Sequence, residues 1–96
     1  MHLSSSEIKK LLKGWHFYKA SILIAQDGGE LERKLNAIEK NVGNLNDVDR
    51  TIFRMRFFER AEVEVVVAQV YLSRRAVYKR IDKAVEKMVY CIANTG

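Results

Sequence analysis

An all-α fold is what this sequence predicts, on three observations. It contains no proline and only five glycines in 96 residues, which removes the commonest helix breaker and most tight-turn chemistry. Its apolar residues recur at steps of three and four, the period of one helical face. The single stretch that alternates like a strand has neither a partner strand nor a hairpin turn beside it. With 48% hydrophobic and 30% charged residues, the chain can bury an interior and keep a solvated surface. Its length suits one compact unit.

The first helix opens at Ser4-Ser5-Ser6-Glu7, where a serine hydroxyl can accept from a free amide and Glu7 stands three residues after Ser4, as a capping box requires. Ile8, Leu11, Leu12, Trp15, Tyr18, Ile22 and Ala25 then form one stripe, predicting a helix to about Gln26 that Asp27-Gly28-Gly29 ends. Gly14 lies inside it and weakens an isolated helix by about 1 kcal/mol, which predicts close packing or a slight bend. Leu31, Leu35 and Ile38 mark a short second helix, interrupted at Asn41-Val42-Gly43-Asn44. Asn44, Asn46 or Asp47 caps a third, with Val48, Ile52, Met55 and Phe58 inward and Phe53 and Phe57 widening that face.

Residues 62–71 are dense in valine and read locally as β. Val63, Val66, Val67 and Val70 nevertheless share a helical face, so the stretch is expected to be a helix. Ser73 is placed to cap a long last helix lined by Val77, Ile81, Ala84, Val85, Met88 and Ile92. Residues 1–44 thus form an N-terminal helical segment for packing or oligomerisation, and residues 45–96 a second segment, the two making one compact unit.

The formal charge is +5, and six basic residues stand against two acidic ones in residues 73–96, while the rest of the chain is close to balance. A basic face suits a polyanion such as DNA, and equally a solvated helix surface. The lone Cys91 cannot pair within the chain. Polar residues follow Met1, and no apolar run approaches the roughly 20 residues that span a bilayer. These features predict a cytoplasmic protein with no membrane association.

Residues 62–88 hold the parts of a helix-turn-helix: two helices joined by apolar contacts, the second offering its outer face and N-terminal end to the major groove. Val66, Val70, Leu72, Val77 and Ile81 fall at inner positions, leaving Arg74, Arg75, Tyr78, Lys79, Asp82 and Lys83 outside. An arginine early in such a helix can pair with a guanine edge, and a lysine one turn on can reach a phosphate.

Arg54-Met55-Arg56-Phe57-Phe58-Glu59 resembles the L-R-Y-F-E stretch of region four of bacterial sigma factors. Leu72-Ser73-Arg74-Arg75-Ala76-Val77-Tyr78-Lys79-Arg80 is similar to the I-S-x-x-x-V start of that family's recognition helix, and Ala84-Val85-Glu86-Lys87-Met88 to its closing A-L-x-K-L. The likeness spans about residues 45–90; regions two and three of a complete sigma factor are absent. A short helical N-terminus before such a domain resembles small phage transcription regulators of the ArpU and RinA type. The resemblance implies that 45–96 is a three-helix, region-four-like helix-turn-helix in which Ser73 caps the recognition helix and Arg74, Arg75, Tyr78 and Lys79 face DNA. Phosphate contacts would come from Lys79, Lys83 and Arg54 or Arg56.

Two positions depart from that pattern. Val67 stands where a small residue is usual and Tyr71 where glycine is; either Ala68 supplies the close approach or the turn is irregular. Tyr71 is accordingly expected in a left-handed or irregular turn.

The function expected is transcription control by a phage or prophage protein on double-stranded DNA, with a homodimer or RNA polymerase supplying a second contact. Two rivals stay open: a module that docks on RNA polymerase or a sigma factor with little DNA binding, and a small DNA-packaging recognition subunit. Trp15 and Tyr18 share the first helix's stripe and are expected in the core rather than on a stacking surface. Phe17 and Ile24 lie off it on a face able to meet a partner chain. His2 and His16 lack ligand spacing with Cys91 or each other, and no phosphate loop, nucleophile–base pair or carboxylate pair stands out. Neither an enzyme nor a metal or cofactor is expected.

Overall fold

The computed structural model describes residues 1–25 and 29–94. Every regular element among them is helical: α1 (Ser5–Lys13), α2 (Trp15–Ala25), α3 (Glu30–Gly43), α4 (Asp47–Phe53), a π-helical turn (Arg54–Phe58), α5 (Val63–Val70) and α6 (Arg74–Asn94). The expected helix end at Gln26, Asp27 and Gly28 lies outside the described residues.

Ser4 Oγ accepts from the Glu7 amide at 3.1 Å and starts α1. The single first helix predicted from the stripe is two. At Gly14 the backbone leaves helical geometry (φ −101°, ψ 22°), and a Cβ there would meet the Tyr18 ring at 2.8 Å. The Tyr18 ring edge therefore packs on the bare Gly14 backbone, the close packing expected there, and the helix also breaks between α1 and α2.

The helix α3 runs further than predicted. Asn41-Val42-Gly43 stay helical because Val42 is a buried core residue and the Asn41 side chain donates to the Ala37 carbonyl at 2.8 Å. Burial of one valine outweighs the local turn preference of its neighbours. Asn46 starts α4, its Oδ1 accepting from the Asp49 amide at 2.9 Å. Val48 is exposed, contrary to expectation, while Ile52 and Phe53 are fully buried. The inner face is centred between those two, roughly a quarter turn from Val48.

Beyond Phe53 the helix widens. The Glu59 amide donates to the Arg54 carbonyl and the Ala61 amide to the Met55 carbonyl, both at 2.8 Å, in place of the four-residue step. This turn packs Phe57 near Phe53 (5.4 Å between ring centroids) and Phe58 on Trp15 (4.8 Å). The valine-rich stretch is a helix, with Val63 and Val66 buried and Val67 and Val70 packed against the core.

One hydrophobic cluster joins both segments: Ile8, Leu12, Leu35 and Ile38 from residues 1–44 share it with Phe53, Val66, Val77 and Val85. Helices α1, α3, α4 and α5 all pack on α6. No polar or charged side chain is buried among the described residues. At the rim, Lys34 on α3 reaches Glu7 on α1 at 2.7 Å. The hydrogen bond to Glu7 holds its amine above the ordinary 10.5.

Candidate nucleic-acid interface

Two of the helices that pack on α6, α5 and α1, frame its first turns. The short link from α5 is built by a left-handed residue. Tyr71 has φ 57° and ψ 36°, and its amide donates to the Val67 carbonyl at 3.0 Å. That irregularity is the one expected of a bulky residue at this position. Its ring is 92% exposed, so nothing packed compensates the roughly 1–2 kcal/mol that a left-handed side-chain residue costs. Val67 is half-buried against the core, and Ala68 faces solvent, so Ala68 supplies no close approach.

Ser73 then caps α6, its hydroxyl accepting from the Ala76 amide at 3.1 Å while its carbonyl accepts from the Val77 amide at 3.0 Å. Val66 and Val77 are fully buried, Ile81 is buried, and Val70 and Leu72 pack at the margin. With that inner face set, Arg74, Arg75, Tyr78, Lys79, Asp82 and Lys83 are all exposed on α6.

Their electrostatic states differ. Arg74 lies against Glu64 of α5, the two side chains sharing an ion pair. Asp82 accepts from Lys9 of α1 at 2.8 Å, and Arg80, half-exposed, bonds Asp49 of α4 at 2.9 Å. Arg75, Lys79 and Lys83 make no ion pair among the described residues. They lie on the solvent side of α6 within about two turns. Lys83 borders a hollow shared with Asn44 and Asn46 of the α3–α4 loop. Arg54 is exposed, whereas Arg56 is half-buried and donates to the Ala61 carbonyl at 3.5 Å.

Two features escaped the sequence reading. His16 binds the Phe58 carbonyl at 2.7 Å through Nε2, which must act as the donor, so it ties α2 to the end of the π turn. No spacing signal marks a contact across 42 residues. The second is a cleft of about 490 Å³ beside α6, lined by Lys9 and Lys13 of α1, Arg56, Arg60 and Tyr78.

Elsewhere, Trp15 is buried and Tyr18 half-buried, as their stripe predicted. Phe17 and Ile24 on α2 are 69% and 84% exposed. Cys91 is half-buried. Among the described residues no three His, Cys, Asp or Glu side chains group as metal ligands, and no helix is long and apolar enough to cross a membrane. The chain matches no protein-family model, no curated protein and no solved structure.

Proposed function

We propose that this protein is a sequence-specific regulator of transcription, of phage or prophage origin, that binds duplex DNA with α5, the Tyr71 turn and α6 acting as a helix-turn-helix. The observation that carries the reading is the pairing of a buried inner face with a basic outer one at the start of α6. Val77 and Ile81 hold the helix to its neighbours, while Arg75, Lys79 and Lys83 project from the opposite side. In the major groove such a surface places a guanidinium against a guanine edge and ammonium groups against phosphates. Arg74, occupied by Glu64, must leave that pair to contact a base, so Arg75 is the stronger candidate for direct readout. A module this small covers few base pairs, and a second copy or RNA polymerase supplies the remaining affinity.

Replacing Arg75 by alanine is expected to cost about 1–3 kcal/mol of binding and to relax discrimination at one base, whereas Lys79→Ala weakens all sequences alike and lowers the salt slope by about one. Fluorescence anisotropy on a selected duplex and on mixed-sequence duplex at several salt concentrations reads both effects. A folded Arg74/Arg75/Lys79 triple alanine variant that binds as the parent does would reject the reading.

The rival then favoured is docking on RNA polymerase or a sigma factor. It draws on α5, whose solvent side carries Glu64 and Val65, with Glu62 just before it and Tyr71 just after. Acidic and apolar groups there suit a protein surface better than a phosphate backbone.

A further inference from the structure

We infer that the cleft between α1, the π turn and α6 is a clamp for the phosphodiester backbone of duplex DNA, extending the interface onto the N-terminal segment; the inference rests on the DNA-binding reading above. Four cationic side chains reach this one depression from three separate places in the chain. Lys9 and Lys13 come from α1, Arg56 from the π turn and Arg60 from the loop after it, against the two carboxylates of Glu62 and Asp82. Like charges converge at a cost in repulsion, and a polyanion that displaces their counterions recovers it.

The state of each cation fits that role. Lys13 and Arg60 are exposed and make no ion pair among the described residues. Lys9 is held by Asp82 at 2.8 Å, with both side chains still substantially exposed, so a phosphate oxygen can take the place of the carboxylate. Arg56 spends one N–H on the Ala61 carbonyl and keeps others for an anion. Arg60 holds this position with φ at 59°, a backbone state that disfavours any side chain other than glycine, asparagine or aspartate.

Continuity with α6 selects DNA over a small free anion. Tyr78 and Asp82 line the cleft and also stand on the exposed side of α6, so a strand followed outward from the first turns of α6 passes the cleft mouth. The apolar walls, Leu12, Phe57 and Ile81, leave its polar recognition to the cations at the rim. Such a contact positions the duplex and reads no bases.

The test uses the whole chain and a fluorescein-labelled mixed-sequence duplex, titrated over a range of salt, with inorganic phosphate as competitor in a parallel arm. A Lys13→Ala/Arg60→Gly variant is expected to bind more weakly on every sequence and to lose about two from the salt slope, one for each phosphate contact removed. Arg60→Gly alone also relaxes the left-handed backbone, so its melting temperature should not fall, which separates lost binding from lost folding. Asp82→Asn, which frees Lys9, is expected to tighten binding. Unchanged affinity and slope in the double variant, while Arg75→Ala still weakens binding, would overturn the clamp and leave the α6 reading standing. Absence of duplex binding by the parent overturns both. Millimolar phosphate that abolishes the Lys13/Arg60 contribution at constant ionic strength would identify a free-anion site and overturn the DNA clamp.

Discussion

Tyr71 carries an exposed ring on a left-handed backbone in the link between α5 and α6. A side chain at a turn where glycine is favoured was expected to force a left-handed or irregular geometry, and its φ of 57° is in that region. The inference was possible because the constraint is local: steric exclusion of positive φ depends on one residue and its own backbone. Long-range contacts leave no such trace, which is why the His16 bond to Phe58 and the convergence of Lys13 with Arg60 were not legible. Because the Tyr71 ring is exposed, replacing it by glycine removes strain and little packing. Tyr71→Gly is expected to stabilise the fold by about 0.5–1 kcal/mol, the left-handed penalty reduced by the added freedom of the unfolded chain. Urea denaturation measures it. A loss of stability would mean that the ring is packed after all.

At the scale of elements, periodicity succeeded where burial dominates and failed where one contact decides. The run Val63–Val70 has strand propensity yet forms α5, because Val63, Val66, Val67 and Val70 can be buried together only on a helix. The break at Gly14 turns on the Tyr18 ring packed on a bare backbone, which spacing does not encode. The π turn at Arg54–Phe58 is likewise silent in sequence, since the apolar residues Met55, Phe57 and Phe58 satisfy a four-residue step as readily as a five-residue one. The facing of α6 is the most testable result at this scale, because the candidate interface depends on it. Ile81→Ala is expected to destabilise by about 2–4 kcal/mol and Val77→Ala by less, through lost burial and the cavity left behind. Lys79→Ala, on the opposite side, should stay within about 0.5 kcal/mol of the parent. Thermal and urea unfolding of the three variants compare them, and equal effects at 79 and 81 would refute the assigned faces.

For the molecule as a whole, apolar side chains from both sides of residue 44 contribute to a single hydrophobic cluster. What periodicity could not convey is which helices touch. A stripe says that a face is buried and not what buries it, so α1 beside the first turns of α6 emerges only in three dimensions. The sharing has an energetic consequence. Among the described residues, eight of the eighteen buried apolar ones lie in residues 1–44, and each such side chain contributes about 1.5–3 kcal/mol by burial. Their sum is comparable to or exceeds the roughly 5–15 kcal/mol by which a domain is stable at all. Residues 45–96 alone would also expose the surfaces of α4, the π turn and α6 that α1, α2 and α3 now cover. That fragment is therefore expected to keep helical circular dichroism but to melt without a cooperative transition and to bind a hydrophobic dye, whereas the full chain unfolds in one step. A fragment melting cooperatively near the parent's temperature would make 45–96 an autonomous domain and reduce α1 to an appendage. It would also remove the rigid footing that the Lys9–Lys13 edge of the cleft needs to hold a DNA backbone in place.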